Sequence, residues 1–366
     1  MQALDSAARQ ANSTISTDEL VQALLAEGKA QAKHPTIRVE GGTLVSMVGG
    51  TRIYRALSPD RWSAGASGFF KPLLGKGFRV EVRRVGRGRH GHGCTLLLAT
   101  SRDLGPTLPQ GHLSPDGASL YQAMAKLLDS PPLEFNRELA DVLIGATSPE
   151  PAPCGEASPE SLECLNREQR KAVRRVLDWN CAVIWGPPGT GKTRTLAAAA
   201  RALADLGKRV LILTGTNAAA DNALRAVVKR FDGRPDLVDR KLLRFGLVQD
   251  EALASECGDL VGFTQAMSLL PASMPDLQRA TLLRSTVVAS TIHAACLSSA
   301  VRGVFDAVLV DEASTMGLPL AWLAAAHAGG RVVFFGDPMQ LGPVVVQEGP
   351  GRRCMADDAF TALGVL

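Results

Sequence analysis

The chain has 366 residues and is 46% hydrophobic, 21% charged and 5% aromatic, a globular composition that excludes a disordered tail, a collagen or a disulfide knot. Its 40 basic and 36 acidic residues leave a net charge of +4, too small for nucleic-acid affinity by bulk charge alone. About two domains are expected at this length.

Residues 1–35 read as a helical segment, with Leu20, Leu24 and Leu25 on an apolar stripe. From 36 to about 101 the texture changes to short β-branched or alternating runs broken by glycine, such as Thr51-Arg52-Ile53-Tyr54 and Phe78-Arg79-Val80-Glu81-Val82. Strands at that spacing predict a small β-barrel or curled sheet. Helices are predicted over Ser119–Leu128 and Phe135–Ile144, completing an accessory region at 36–146. The proline-rich stretch that follows Ala146 marks a linker at 147–164. Beyond it, strand, loop and helix repeat. Strands are expected at Ala182–Trp185, Arg209–Leu213, Thr286–Ala289, Ala307–Val310 and Arg331–Phe335, with an alanine-rich helix from Arg194 to Leu206. Alternating β and α with continuous apolar strands predicts an α/β fold, a parallel sheet covered on both faces. Between Lys229 and Arg284 leucine-bearing segments with turn residues predict a helical insertion, 229–285.

Seven cysteines without a CxxC pair imply a reducing compartment. No signal peptide is visible, and no run nears the roughly 18 apolar residues of a membrane helix. A cytoplasmic chain with no membrane partner is therefore expected. His90, His92 and Cys94 lie close together, but with no second ligand pair no structural zinc is expected.

Gly186-Pro187-Pro188-Gly189-Thr190-Gly191-Lys192-Thr193 fits G-x-x-x-x-G-K-[ST], with an apolar strand before it and a helix after it. Glycines let backbone N–H groups turn toward phosphate oxygens, and the helix N-terminus adds its positive end. Lys192 would reach the β- and γ-phosphates and Thr193 would ligate Mg²⁺. Asp311 and Glu312 follow an apolar strand, where a carboxylate stands beside the phosphate loop. Asp311 would complete the metal shell and Glu312 would polarise the attacking water, a pairing that implies hydrolysis. Asp337 and Gln340 close another strand, and the amide of Gln340 could bond the γ-phosphate or the water.

These residues resemble a known family. Asp311-Glu312-Ala313-Ser314 and Gly336-Asp337-Pro338-Met339-Gln340-Leu341 look like motifs II and III of superfamily 1 helicases, nearest the Upf1-like branch with the Dna2, Sen1 and immunoglobulin µ-binding-type enzymes. Leu165-Asn166-Arg167-Glu168-Gln169 resembles its Q motif, which implies that Gln169 reads the adenine edge. Thr214 to Asp221 resembles motif Ia and Val287 to Thr291 motif Ic, which implies that Thr216, Asn217 and Thr291 touch single-stranded DNA or RNA. Gly215 and Gly342 stand where the family usually has proline. The resemblance covers about 165–366 and implies a RecA-like ATPase domain with ATP and Mg²⁺. By position only, 36–101 resembles the family's 1B barrel and 229–285 its 1C subdomain.

Residues 51–100 hold ten basic and two acidic side chains, and Arg79, Arg83, Arg84, Arg87 and Arg89 fall within eleven positions. Such a run either tracks a phosphate backbone or is a solvated hairpin. The family's second RecA-like domain supplies an arginine finger, and its motifs do not occur in the 26 residues after Gln340. The expectation is a motor domain lacking its second wall, with weak or no hydrolysis alone. A nucleotide-gated binding module without unwinding and a P-loop ATPase unrelated to nucleic acid are the alternatives.

Overall fold

In the computed structural model the described residues are 2–3, 15–33, 35–48, 51–62, 67–88, 93–115, 117–231, 241–250, 252–253, 261–263 and 275–365. In chain order they begin with β1 (Gln2–Ala3) and α1 (Thr17–Gln31). Eight short strands follow: β2 (Ile37–Val39), β3 (Gly42–Val48), β4 (Thr51–Ser58), β5 (Ser67–Pro72), β6 (Phe78–Arg87), β7 (Cys94–Thr100), β8 (Thr107–Leu108) and β9 (Gly111–Pro115). Then come α2 (Gly117–Asp129), α3 (Arg137–Ala140), α4 (Arg167–Asp178), β10 (Cys181–Trp185), α5 (Lys192–Asp205), β11 (Val210–Thr214) and α6 (Asn217–Phe231). The remainder is β12 (Lys241–Phe245), β13 (Val261–Phe263), α7 (Pro275–Arg284), β14 (Ser285–Thr291), α8 (Ile292–Leu297), β15 (Phe305–Val310), α9 (Leu318–Ala326), β16 (Ala328–Gly336), α10 (Arg352–Ala356) and α11 (Ala359–Ala362).

The motor half is one sheet in the order β1-β10-β16-β15-β11-β14-β12-β13, parallel throughout except for the antiparallel β1–β10 edge. Its central strands β10, β11, β15 and β16 carry apolar runs because each face meets its own layer of helices. Ala182, Ile184, Val333 and Phe335 pack with α4 and α5, whereas Val183, Val332 and Phe334 pack with α9 and Trp322. In α5 the run from Thr195 to Ala204 is buried, and its alanines let α4, α6 and the sheet approach closely. This is the covered parallel sheet expected from the strand texture.

The second sheet, β2-β9-β5-β6-β7-β4-β3-β8, is antiparallel and curls round Tyr54, Phe70, Val80, Leu96, Leu98 and Leu113. Alternation along β4 and β7 turns one side of each strand into that core.

Three sequence expectations need correction. The stretch 229–285 is not a purely helical insertion. β12 pairs in parallel with β14, β13 pairs with β12, and both extend the motor sheet. Lys241 and Arg244 interrupt the apolar run and disguise β12, whose fully buried Arg244 finds its side-chain partners, Asp221 and Asn217, outside the strand. The helices of 117–144, expected to complete the accessory region 36–146, do not belong with the barrel. Leu20 and Leu24 of α1, and Leu120, Met124 and Leu128 of α2, share one core with Leu213, Val310 and Trp322, so the barrel ends at Pro115. Residues 147–164 form a strap bound to the motor. The Ala152 N–H donates to Asp178 O (2.7 Å), Cys154 N–H to Leu177 O (3.1 Å), and Arg331 Nη2 to Ala152 O (2.8 Å). Prolines lack N–H groups, but their neighbours still pair with the end of α4.

Candidate nucleotide site

Parallel strands deliver their carboxyl ends to one edge of the sheet, and every loop expected to carry chemistry leaves from that edge. The phosphate loop follows β10, Asp311 and Glu312 follow β15, Asp337 and Gln340 follow β16, and Thr216 and Thr291 stand at the ends of β11 and β14. A cavity of about 260 Å³ is lined by Lys192, Thr193, Asp311, Glu312, Asp337 and Gln340. Three motifs separated by up to 150 positions thus meet at one place.

The loop that ends in Lys192 needs its glycines. Gly191 has φ +82°, and a Cβ there would stand 2.7 Å from Gln169 Nε2; one at Gly186 would stand 2.6 Å from Thr190 Oγ1. Lys192 Nζ is folded back, donating to the carbonyls of Gly186 and Pro187. Thr190 Oγ1 donates to Pro187 O (2.7 Å). Gln169 braces the loop from outside, with Nε2 donating to Thr190 O (3.0 Å) while Oε1 accepts the Asn166 N–H (3.1 Å). Asn166 in turn caps α4, so Gln169 is at once the third helical residue of a capping box and a buttress of the loop. One bond engages each end of its amide, which leaves one N–H and one lone pair over.

Asp311 is 5% exposed. Burial, together with the Glu312 carboxylate, pushes its carboxyl up to about 6, against the pull of the Glu312 N–H, Lys192 and a hydrogen bond from Thr193. A desolvated carboxylate touching a threonine hydroxyl is a hard-oxygen pair that suits Mg²⁺. Glu312 has φ 54° and ψ 35°, a left-handed backbone that costs a residue with a side chain about 1–3 kcal/mol. Its N–H donates to Asp311 Oδ1 (3.0 Å), and Thr315 holds its carbonyl through N–H (3.0 Å) and Oγ1 (2.9 Å). The strained turn leaves the Glu312 side chain exposed at the cavity beside the buried Asp311.

Asp337 is held by a residue that sequence reasoning missed. Trp185 Nε1, at the end of β10, donates to Asp337 Oδ1 (2.9 Å), as does the Met339 N–H (3.1 Å), and Gln340 Nε2 donates to Oδ2 (3.1 Å). Burial opposes ionisation, but these donors hold the Asp337 carboxyl below its ordinary value. Tryptophan in a strand reads simply as apolar filler, so nothing in the pattern marked its N–H. Ser314 Oγ also accepts the Asp337 N–H (3.4 Å), tying the loop after β15 to the one after β16.

The residues expected to touch a strand are only partly assembled. Thr216 and Thr291 sit on adjacent strand ends but cap helices, their hydroxyls accepting the N–H of Ala219 and Ala294 (both 3.2 Å), and Thr291 is 7% exposed. Asn217 Oδ1 accepts from Arg244 Nη2 (2.9 Å). Arg83 departs from its expected place on an open phosphate track: its side chain is 13% exposed, 3.7 Å from Glu81, and donates to Val248 O. The bulge between Val82 and Arg84 turns it toward the motor. Arg84 is exposed, Arg87 lies in β6, and Arg89 lies outside the described residues, as do His90 and His92. Cys94 is buried, its thiol donating to Asp60 O (3.2 Å). No described helix is long and apolar enough to cross a membrane.

Residues 164–261 and 263–348, together just over half the chain, match a family model described as an AAA domain. Among curated proteins the chain is 32% identical over 205 residues to the mouse DNA replication ATP-dependent helicase/nuclease DNA2, covering 55% of this chain and 18% of that protein. It is 31% identical over 195 residues to the mouse RNA helicase Mov10l1 (50% and 15%), and 29% identical over 223 residues to an Arabidopsis thaliana homolog of regulator of nonsense transcripts 1 (55% and 18%). The chain spans less than a fifth of the length of each.

Proposed function

Since the chain belongs to this AAA-domain family, on the Upf1-like branch of the superfamily 1 helicases, we propose that it is the first RecA-like half of an ATP-driven motor acting on single-stranded DNA or RNA. The observation that carries this reading is the convergence of Lys192, Thr193, Asp311, Glu312, Asp337 and Gln340 on one cavity. ATP places its phosphates in the loop 186–193, and Lys192 leaves the Gly186 and Pro187 carbonyls to take up the β- and γ-oxygens. Thr193 and Asp311 would hold Mg²⁺, which would neutralise phosphate charge when bound. Glu312 accepts a proton from the attacking water at its carboxylate. Gln340 exchanges its bond to Asp337 for the γ-phosphate or the water, so the loop after β16 moves with hydrolysis.

The cavity is open beside the exposed Met339 and Gln340. A second RecA-like domain, on this chain's continuation or on a partner, closes it and brings an arginine finger, a group worth roughly 10³–10⁵ in rate. With one wall the 366 residues hydrolyse ATP slowly and do not unwind. Phosphate release with and without single-stranded oligonucleotide tests this reading. Slow turnover that the oligonucleotide stimulates is expected. No stimulation, with no binding at low salt, removes the nucleic-acid reading, and robust unwinding by this chain removes the one-wall reading.

A further inference from the structure

A buried ionic cluster outside the nucleotide site lies where the barrel meets the motor, and the reaction as derived above makes no use of it. Its centre is Arg244 of β12, with no exposed surface. Nε donates to Asp221 Oδ1 (2.6 Å), Nη1 to Phe245 O (2.5 Å), and Nη2 to Asn217 Oδ1 (2.9 Å) and Leu247 O (2.7 Å). The rigid fork of a guanidinium reaches all four; the single ammonium of a lysine cannot. The other oxygen of Asp221 accepts the backbone N–H groups of Gln249 (2.6 Å) and Asp250 (2.9 Å), and Arg225, one turn along α6, pairs with Asp250 (2.5 Å). The segment 246–250 is therefore a strap clipped to the first half of α6.

The outer side of the strap holds the barrel. Val248 is fully buried among Val48, Ile53 and Ala99 of the barrel, its carbonyl accepts from Arg83, and Gln249 Nε2 donates to Glu81 Oε1. Asn217, the residue that opens α6, lies beside Glu81. One arginine thus organises both the start of α6 and the surface on which the barrel rests.

We propose that Arg244 is a positioning residue: through the strap 246–250 it fixes where the barrel stands relative to the loop that opens α6, and thereby how tightly barrel and loop together hold a nucleic-acid strand. The second half of that statement rests on the strand-binding reading; the first half stands on the strap alone.

Two variants separate the halves. Arg244→Lys keeps the charge beside Asp221 but cannot span Asn217 and Leu247. Gln249→Ala leaves Arg244 and Asp221 paired and removes only the side-chain link to Glu81. Hydrogen exchange reads the strap directly: the Gln249 and Asp250 amides of Arg244→Lys should exchange about tenfold faster, whereas in Gln249→Ala the gain should appear in β6. Binding of labelled oligo(dT) and oligo(rU) at low salt should weaken about two- to tenfold in both variants, with Mg²⁺-nucleotide affinity within about twofold of the parent, as for one lost hydrogen bond. Variants that melt cooperatively and show faster exchange but undiminished oligonucleotide affinity overturn the link to strand binding. If the parent chain itself binds neither oligonucleotide, the strand-binding reading fails. Unchanged exchange in β6 of Gln249→Ala overturns the positioning of the barrel, whichever way the binding arm falls.

Discussion

The motor sheet and the barrel are both eight-stranded, yet they use sequence in opposite ways. In the motor, parallel strands all end at one edge, so residues as distant as Lys192, Asp311 and Gln340 share a cavity as a consequence of topology. In the barrel, antiparallel strands send loops to both ends, and its charged residues either face solvent, like Arg84, or turn inward to the motor, like Arg83 and Glu81. Chemistry is built into the first sheet. The second contributes through where it is held.

That contrast can be broken most directly at Glu312. Glu312→Gln keeps the turn and the cavity but removes the proton acceptor, so turnover measured by phosphate release should fall by about 10²–10⁴ while nucleotide binding persists. Retained turnover would move the chemistry elsewhere. Core truncations come next. Phe334→Ala and Phe70→Ala should each cost about 3–5 kcal/mol in denaturant unfolding, but only the first should also abolish nucleotide binding. Loss of nucleotide binding in Phe70→Ala would show the two sheets to be one cooperative unit.

The pH dependence of stability should come from the motor side. His327, at the end of α9, is buried against Phe135, and burial pushes its imidazole down to about 4. The unfolded chain binds this proton below about pH 6.5 and the folded one only below about 4. The His327 contribution is thus complete above the first value and is lost as pH drops toward the second, by an amount on the order of 3 kcal/mol, while the raised Asp311 carboxyl, which takes up its proton in the folded chain below about 6, works the other way. His327→Gln should remove the His327 loss, so that its stability relative to the parent rises as pH drops from 7 to 4.5 in denaturant titrations. The smallest effect is expected at Asn166: Asn166→Ala removes an N-cap worth about 1 kcal/mol and takes the acceptor from the Gln169 backbone N–H while keeping the Asn166 N–H on Gln169 Oε1, so thermal melting should register it and nucleotide affinity should change little.

How much of this was legible followed from how each residue is satisfied. The phosphate loop and Asp311 with Glu312 could be read because glycine spacing and a carboxylate after an apolar strand constrain the backbone locally. The parallel sheet was legible for the same reason in β10, β11, β14, β15 and β16. β12 was not, because its arginine is paid for by Asp221 and Asn217 more than twenty positions earlier, and no local pattern carries that information. Trp185 as a donor to Asp337 was hidden likewise, 152 positions from its acceptor. The helices of 117–144 were found, but their allegiance to the motor depends on which core their apolar faces meet. Arg83 shows the reverse error: a basic run invites an electrostatic reading, and a β-bulge inside it turned one member inward.

Glu27 of α1 brings in the order in which the chain is made. Its side chain is fully buried, and its carboxylate accepts the N–H groups of Val346 (3.1 and 3.2 Å) and Gln347 (3.1 Å), while Gln347 Nε2 donates back to Ala23 O (2.9 Å). Those partners leave the ribosome about 320 residues after Glu27, roughly 16–64 s later at ordinary synthesis rates. For that interval α1 carries a carboxylate without the Val346 and Gln347 backbone donors that hold it in the folded chain. The segment that follows Gln340 thus has its backbone donors met by a helix made long before it.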